Sequence, residues 1–398
     1  MLWPSLKHVA RFEYGDSLSR DIRSDGDVPV FGSNGVVGSH DVANTLGPAI
    51  IVGRKGSYGK VTWTDAPGFC IDTAYYVDSR HTGANLRWLF WVLQTLGLDQ
   101  NSEDTGVPGL SRESAYRTKV RCPSPQEQQR IANFLDEQTA RIDALIAGKV
   151  KLLELLDELR YSTVSWAVVG GLHQDREWIA TEHEFIPLLP TGWVLGGLTK
   201  YIGPIVDYRG KTPEKVDEGI LLITARNIRD GRLDYAASAE YIQPEDYGEV
   251  MRRGQPGIGD VLFTTEAPLG QVANVDREGI ALAQRVIKFR GLPGLLNNYF
   301  LKYWLMAHQV QAVLATLATG STAEGIKASK IGKIPVALPS LEEQEEIVSF
   351  LNERVQNIDS AVAHAKAHIE HLEEYRSSLI SAAVTGQIDI NAFHLEAA

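Results

Sequence analysis

A stretch of nearly fifty residues occurs twice in this chain, at a constant offset of 216 residues. The first copy runs from Pro123 to Gly170 and the second from Pro339 to Gly386. The copies keep one register without a gap, and their identical positions include Ile142/Ile358, Asp143/Asp359, Leu156/Leu372, Arg160/Arg376 and Val168/Val384. A repeat of this length indicates a duplicated architecture.

Both copies are predicted to be long helices. Ser124 and Ser340 occupy N-cap positions, and Glu127 and Glu343 follow three residues later, which is the capping-box pattern. Apolar residues then recur at alternating steps of four and three, the spacing of a coiled-coil seam. In the first copy this seam consists of Ile131, Leu135, Ile142, Leu145, Leu152, Leu156 and Leu159. About forty residues at about 1.5 Å each give a rod of roughly 60 Å.

Two long helices with matching seams most simply pair with each other. The alternative is that each helix is buried inside one globular core. Lys and Glu fill the positions outside the seam, which favours helices that face water or another subunit. The repeat alone does not decide between a parallel and an antiparallel pair.

Length and composition set the broad class of the protein. A chain of 398 residues with 44% hydrophobic residues suggests two or three domains with cores of their own. We find no stretch that resembles a membrane span or a secretory signal. The two cysteines, Cys70 and Cys122, are too few for a disulfide framework, which fits a reducing cytosol.

The net charge of −11 argues against nucleic acid when taken alone, but the charge is unevenly distributed. Residues 123–189 and 339–398, which hold the repeated helices, have net charges of −5 and −8. Residues 1–122 are neutral and residues 190–338 carry +2. The segments between the helices are therefore free to meet DNA.

A glycine-rich stretch from Gly53 to Trp63 suggests a phosphate-binding loop at first sight. Arg54 stands where a Walker A loop needs Gly, and Val61 stands where it needs Ser or Thr, so nucleotide binding is not supported. Two interpretations stay open, a plain hairpin turn and a basic loop that contacts DNA. Cations such as Lys55 and Lys60 neutralise phosphate, and Arg pairs bidentately with guanine.

Residues 190–338 loosely repeat residues 1–122. A strand from Asp260 to Thr265 precedes Gly270-Gln271-Val272, as a strand from Ala49 precedes Gly59-Lys60-Val61. The apolar helix at Asn85–Gly97 has a counterpart at Leu296–Leu317. Between the first helix and this block, His173–Pro190 is a polar stretch without a common metal-ligand spacing, which predicts a solvated connector.

Catalytic motifs are missing from the sequence. There is no GxSxG elbow and no HExxH zinc motif. We find no Asn/Asp-Pro-Pro-aromatic tetrad for base methylation and no glycine-rich loop placed for a methyl donor. These absences weigh against a self-contained modification enzyme.

The repeated helix starts, Gln128 to Leu135 and Gln344 to Leu351, resemble those of the specificity subunit of type I restriction–modification systems. The blocks Ile51–Val61 and Asp260–Val272 resemble that family's strand followed by Gly-x-Val. The likeness covers nearly the whole chain. One departure is Gln129-Arg130 in the first helix, where the second has Glu345-Glu346.

The resemblance implies an α/β (α+β) fold in which two target-recognition domains are separated by two long helices, paired as an antiparallel coiled coil with a pseudo-twofold repeat. The expected parts, in chain order, are target-recognition domain 1 at 1–122, a central spacer helix at 123–170, a linker at 171–189, target-recognition domain 2 at 190–338, a second spacer helix at 339–386 and a tail at 387–398.

The resemblance also implies a function. Each recognition domain would read one half of a bipartite, asymmetric double-stranded DNA site, and the helices would set the gap and dock two methyltransferase subunits. Restriction subunits would join through these. S-adenosylmethionine, ATP and Mg would belong to the partners, so this cytoplasmic chain would have neither catalysis nor a cofactor or metal of its own. A coiled-coil scaffold that reads no DNA sequence is the alternative.

Candidate residues follow from both lines of reasoning. The predicted DNA-binding residues are Asn34, Arg54, Lys55, Ser57, Tyr58, Lys60, Arg209, Lys211, Arg226, Asn227, Thr265, Gln271 and Arg285. The predicted docking and spacer residues are Gln128, Ile131, Phe134, Leu135, Ile142, Gln344, Ile347, Phe350, Leu351 and Ile358.

Overall fold

The computed structural model describes residues 3–100, 108–173, 175–208, 213–318 and 325–390. The chain forms two compact units, and both contain part of each long helix. The first unit comprises residues 1–150 and 366–398, and the second unit comprises residues 151–365. Part of the expected tail, 391–398, lies outside the described residues. The domain boundaries expected from the sequence stay a prediction.

The first unit contains two small sheets, two short α-helices and parts of both long helices. Its elements are β1 (Glu13–Tyr14), β2 (Val28–Gly32), β3 (Gly35–His40), β4 (Ala49–Gly53), β5 (Val61–Thr64), β6 (Phe69–Cys70), β7 (Ala74–Asp78), α1 (Leu86–Gln94), α2 (Arg112–Arg117) and the beginning of α3 (Pro125–Gly170). The order β1-β7-β4-β5 forms an antiparallel sheet, while β2 lies between antiparallel β3 and parallel β6.

The second unit repeats this topology with additions. Its elements are β8 (Trp178–His183), β9 (Ile186–Pro190), β10 (Val194–Gly197), β11 (Val206–Asp207), β12 (Ile220–Ile223), β13 (Ile228–Arg229), β14 (Arg232–Leu233), β15 (Tyr241–Ile242), α4 (Tyr247–Val250), β16 (Val261–Thr264), β17 (Val272–Asn274), β18 (Ile280–Leu282), β19 (Val286–Phe289), α5 (Asn298–Met306), α6 (His308–Leu317), α7 (Ala328–Ile331), β20 (Pro335–Leu338) and the beginning of α8 (Leu341–Thr385).

Strand order makes the correspondence between the units explicit. The sheet β11-β19-β16-β17 matches β1-β7-β4-β5. In the other sheet β12 lies between antiparallel β15 and parallel β18, as β2 lies between β3 and β6. Asn85 and Asn297 cap the matching helices α1 and α5. The loose sequence repeat therefore reflects one fold used twice.

The long helices begin and pack as the repeat predicts. Ser124 Oγ accepts a hydrogen bond from the backbone N–H of Glu127, as Ser340 Oγ does from that of Glu343. The glutamates do not complete the capping box, because their carboxylates pair with Arg121 and Arg176 instead. These ion pairs offer each carboxylate a charge-assisted partner in place of the N-cap N–H.

The two long helices run antiparallel in each unit. In the first unit, Ile131 and Leu135 near the start of α3 share a core with Leu379 and Ile380 near the end of α8. In the second unit, Val164 near the end of α3 shares a core with residues near the start of α8. Burying apolar side chains on both helices stabilises each pair.

Two sequence predictions about these segments are corrected by burial. The predicted seam is buried at Ile131, Leu135 and Ile142 but exposed at Leu145, Leu152 and Leu159, because two helices leave one side of an apolar stripe uncovered. The expected solvated connector His173–Pro190 contains the hairpin of β8 and β9, whose Ile186 and Leu189 are buried in the core. No helix among the described residues is long and apolar enough to cross a membrane.

Candidate nucleic-acid interface and helix surface

Three loops meet in the first unit, and we call residues 33–34, 54–60 and 71–73 the first loop cluster. The ammonium of Lys60 donates to the backbone oxygen and the Oδ1 of Asn34, at 3.0 and 2.8 Å. The backbone N–H groups of Arg54 and Lys55 donate to the carbonyl of Thr73, at 2.9 and 3.1 Å. The turn at residues 33–34, the hairpin loop at 54–60 and the loop between β6 and β7 are therefore joined by hydrogen bonds into one surface.

The hairpin loop between β4 and β5 is held by its own backbone. The N–H of Gly59 donates to the carbonyl of Gly53 at 2.8 Å, and Gly59 has a φ of 79°. A Cβ at Gly59 would lie 2.3 Å from the backbone nitrogen of Asp99, so only glycine fits. The stretch forms the turn of the β4–β5 hairpin, and whether this turn contacts DNA stays a prediction.

The matching loops of the second unit are 224–227, 265–271 and 283–285, which we call the second loop cluster. The N–H of Gly270 donates to the carbonyl of Thr264 at 2.9 Å, repeating the Gly59–Gly53 bond. The N–H of Thr265 donates to the carbonyl of Arg285 at 3.0 Å, as Arg54 does to Thr73. The two clusters are equivalent in position within their units.

Their chemistry differs. In the hairpin loop, Thr265, Glu266 and Gln271 stand where the first cluster has Arg54, Lys55 and Lys60. The cations of the second cluster instead line a cavity of about 350 Å³. This cavity is lined by Pro213, Lys215, Leu222, Thr224, Ala225, Arg226, Glu240, Ala267, Ala283, Gln284 and Arg285.

Ion pairs organise the cavity. Glu240 forms ion pairs with two cations: its Oε2 lies 2.7 Å from Lys215 Nζ, and its Oε1 lies 2.5 Å from Arg226 Nη2. The pKa of Glu240 lies below its usual value, mainly because the Lys215 ammonium donates a hydrogen bond to this carboxylate. Arg285 Nε lies 2.9 Å from Glu266 Oε1. The pair of Arg285 with Glu266 is exposed on both sides and is therefore weak in water, whereas Glu240, whose side chain is 16% exposed, has two cations that share its charge.

The predicted DNA-binding residues are distributed unevenly. Asn34, Lys55, Ser57, Lys60, Arg226 and Arg285 are exposed on the two loop clusters. Arg54 and Tyr58 are half-buried, and Arg54 lies 4.9 Å above the ring of Tyr14 while donating to the carbonyl of Asp72. Arg209 and Lys211 lie outside the described residues.

Three predicted contacts are turned inward. Asn227 is fully buried, accepts from the N–H of Thr224 and donates to the carbonyls of Asp234 and Ser238. Thr265 is buried and its hydroxyl donates to the carbonyl of Arg285. Half-buried Gln271 accepts from the N–H of Asp230. Asn227 and Thr265 thus hold their loops together from buried positions, whereas DNA contact by Gln271 stays a prediction.

Most of the predicted docking residues are also buried. Only Phe134 and Phe350 retain partial exposure, whereas Gln128, Ile131, Leu135, Ile142, Gln344, Ile347, Leu351 and Ile358 belong to the interior. Gln128 and Gln344 have a specific structural role, because each side-chain oxygen accepts from the backbone N–H of the Asn that caps α1 or α5, at 2.8 Å. These two glutamines therefore attach the long helices to the N-termini of α1 and α5.

An apolar groove, lined in part by the predicted docking residues Phe350 and Ile358, provides an exposed surface. It has a volume of about 640 Å³ and lies between α3 and α8 in the second unit. Its lining comprises Leu156, Leu159, Ser162, Thr163, Trp166, Phe350, Arg354, Asn357, Ile358 and Ala361. Trp166 is 49% exposed and packs edge-on against Phe350, with ring centroids 5.9 Å apart. An open apolar groove of this kind is typical of a protein-binding surface.

Comparison with known proteins decides the family. The model of the type I restriction modification DNA specificity domain matches residues 5–155 and 251–371, which is more than half of the chain. The chain belongs to this family. It is thus a DNA specificity subunit of a type I restriction–modification system, a subunit that recognises DNA and carries no catalysis.

Individual relatives of this family are distant in sequence. The EcoBI specificity subunit of Escherichia coli is 22% identical over 349 residues, which cover 85% of this chain and 73% of the relative. The MjaVIII specificity subunit of Methanocaldococcus jannaschii is 23% identical, over 74% of this chain and 67% of the relative.

A solved structure that concerns complex assembly and conformational transition of the type I restriction–modification system contains a similar chain. The TM-score is 0.70 at 14% identity, with 97% of this chain and 98% of that chain covered. At this identity the likeness shows the fold alone. The shared fold extends over nearly the whole length of both chains.

Sequence reasoning missed several residues of these surfaces. Lys215, Glu240 and Gln284 line the cavity but belong to no motif, and only the adjacency of Gln284 to Arg285 hinted at its place. Trp166 was missed for another reason. Its equivalent by the repeat is Ala382, so a search for identical positions passed over it.

Proposed function

We propose that each unit reads one half of a bipartite, asymmetric double-stranded DNA site through its loop cluster. The observation that carries this proposal is that one topology occurs twice while its equivalent loops differ in charge. Equivalent folds supply two similar readers, and different side chains at the same positions give different base preferences. The two half-sites are therefore expected to differ in sequence.

The first loop cluster is suited to phosphate contacts. Lys55 is exposed, and Lys60 is held toward the surface by Asn34. Phosphate neutralisation releases counterions, so binding is expected to weaken steeply as salt rises. Arg54 is less suited to this role because Tyr14 and Asp72 already hold it.

We further propose that the apolar groove docks a methyltransferase subunit. Its lining is mostly apolar, and residues 123–189 and 339–398, which hold the long helices, carry net negative charge, so a partner helix with an apolar face and basic flanks fits. Two such subunits are expected because the helix repeat offers two related surfaces. Restriction subunits would join through them, and S-adenosylmethionine, ATP and Mg would act in these cytoplasmic partners.

The central test is to map the DNA that the assembled complex recognises. The chain is co-purified with its methyltransferase subunits, and the methylated adenines of host DNA are mapped together with the footprint on a duplex. A bipartite site with a fixed gap supports the proposal. Methyltransferase binding without any sequence preference would mean that the chain is a coiled-coil scaffold.

A charge variant tests the first loop cluster. Replacing Lys55 and Lys60 with Ala should weaken duplex binding and reduce the slope of log affinity against log salt by about 2. Lys7 is an exposed cation outside the loops, and Lys7→Ala serves as the control. Unchanged affinity in the double variant would remove this loop from the DNA site.

A tryptophan pair tests the groove. Trp166→Ala should lower the affinity for the methyltransferase subunit by tenfold or more, about 1.4 kcal/mol, because buried Trp residues dominate interfaces. Trp178 is 47% exposed on β8, outside the groove, so Trp178→Ala is the matched control. Equal affinities for both variants would contradict docking at this groove.

A further inference from the structure

Gln284 occupies an unusual position in the second loop cluster. It is half-buried and lines the cavity beside Arg226 and Arg285. Its side-chain amide forms no hydrogen bond with any residue that the structure describes. The amide still reaches water, so its two donors and its acceptor are available to a ligand that enters the cavity.

The backbone around Gln284 is fixed on both sides. The N–H of Ala283 donates to the carbonyl of Ile223 at 2.9 Å. The carbonyl of Arg285 accepts from the N–H and the hydroxyl of Thr265, at 3.0 and 3.2 Å. The backbone that carries Gln284 is thus fixed beside the cavity, so the side chain starts from a defined place, as specific recognition requires.

The surrounding charges indicate the ligand class. The three cations Arg226, Arg285 and Lys215 outnumber the two carboxylates that pair with them, Glu240 and Glu266, by one. Such a site attracts a polyanion, and the amide beside it has one acceptor and two donors. In duplex DNA, an amide forms a bidentate pair with adenine, accepting from N6 and donating to N7 in the major groove.

The equivalent position in the first loop cluster has different chemistry. Asp72 precedes Thr73 there, as Gln284 precedes Arg285, and both Thr73 and Arg285 accept from the hairpin loop. An ionised carboxylate only accepts hydrogen bonds, so Asp72 is not able to pair with adenine in the same way. The two clusters therefore differ at this position in the hydrogen bonds that they offer.

We propose that Gln284 is a base-reading residue of the second unit, which recognises one A·T pair of its half-site by a bidentate contact to adenine, while Arg226 and Arg285 bind the adjoining backbone. The proposal rests on the proposed reading of a half-site by each unit. It assigns one specificity determinant to one side chain.

The test selects duplexes from a library in which both half-sites are randomised, using the complete complex with methyltransferase subunits. Gln284→Met keeps the length of the side chain but removes both hydrogen bonds, and Gln284→Ala is the second variant. Both should lose the preference for one A·T pair other than the methylated position, on the order of tenfold to a hundredfold. All other positions, including the whole first half-site, should keep their preferences.

The controls separate the possible failures. Gln255 is an exposed glutamine of the second unit outside the cavity, and Gln255→Met should leave every preference unchanged. Retained selection of the first half-site demonstrates that a variant complex is folded. Unchanged preferences in both Gln284 variants, a uniform loss at all positions, or a change at a G·C pair would overturn the proposal. If the unaltered complex selects no bipartite site, the proposed function itself fails.

Discussion

Two ion pairs at equivalent positions of the repeat differ in their burial. Asp143 pairs with Arg376 in the first unit, and Asp359 pairs with Arg160 in the second. The side chains of Arg160 and Asp359 are 4% and 27% exposed, whereas those of Arg376 and Asp143 are 28% and 52% exposed. A buried cation loses more when its partner is removed, because water does not replace the carboxylate.

This difference predicts unequal costs for the same substitution. Asp359→Asn leaves the buried Arg160 without its carboxylate partner and should lower the free energy of unfolding by about 3 kcal/mol. Asp143→Asn should cost about 0.5 kcal/mol, the usual value for an exposed pair. Urea unfolding of both variants at neutral pH measures the difference. Equal costs would show that burial does not distinguish the two pairs.

Lys302 should make stability depend on pH. Burial lowers its pKa to about 8, although Asp359 acts in the opposite direction. Between pH 8 and the usual lysine pKa, the unfolded chain holds a proton that the folded chain has lost, so the free energy of unfolding rises with pH. Relative to Lys302→Met, it should rise by about 2 kcal/mol from pH 7.5 to 9.5. A difference that is constant across this range would contradict the shifted pKa.

The residue scale is also where prediction from sequence failed most. Asn227 and Thr265 have side chains of the types that read or contact DNA, but both are buried and bonded within their loops. The type of a residue tells which hydrogen bonds its side chain is able to form, but not whether that side chain points to the surface or to the interior. Gln284 was missed for the same reason, since its free amide becomes evident only when the fold brings β12 and β18 together.

At the scale of elements, local patterns predicted the long helices and the β4–β5 hairpin well. Capping residues and apolar periodicity depend on neighbours in sequence, so they are visible without a fold. The exposed side of the seam was not visible. Whether Leu145 or Leu159 is covered depends on the partner helix and on the sheets, which are distant in sequence.

Two glycines of the long-helix region should respond in opposite ways to alanine. Gly171 follows α3 with a φ of 70°, and a Cβ there would lie 2.8 Å from Oε1 of Glu343. Gly171→Ala should therefore lower the free energy of unfolding by about 1–2 kcal/mol. Gly148 lies within α3 with nothing within 4 Å of a Cβ, so Gly148→Ala should gain about 0.5–1 kcal/mol. Thermal melts of the two variants provide the comparison. A stabilising Gly171→Ala would refute the strained C-cap.

At the scale of the whole molecule, the repeat predicted that one fold is used twice, and matching strand orders agree. The sequence did not predict which segments of the chain combine to form each unit. Each unit combines the beginning of one long helix with the end of the other, which joins residues more than 200 positions apart, such as Asp143 and Arg376. A single chain contains no local signal for such pairings.

Because both helices continue from one unit into the other, their length is expected to set the gap between half-sites. Seven residues inserted after Val150 in α3 and after Ala365 in α8, where the units divide, preserve the heptad spacing. The added length of about 10 Å corresponds to about three base pairs, so the recognised gap should grow by about 3 bp with both half-sites unaltered. Insertion into α3 alone is the control, and it should abolish bipartite binding by breaking the helix register. Methylation mapping of the variants reads the gap directly, and altered half-site sequences in the double insertion would contradict a spacer role for these helices.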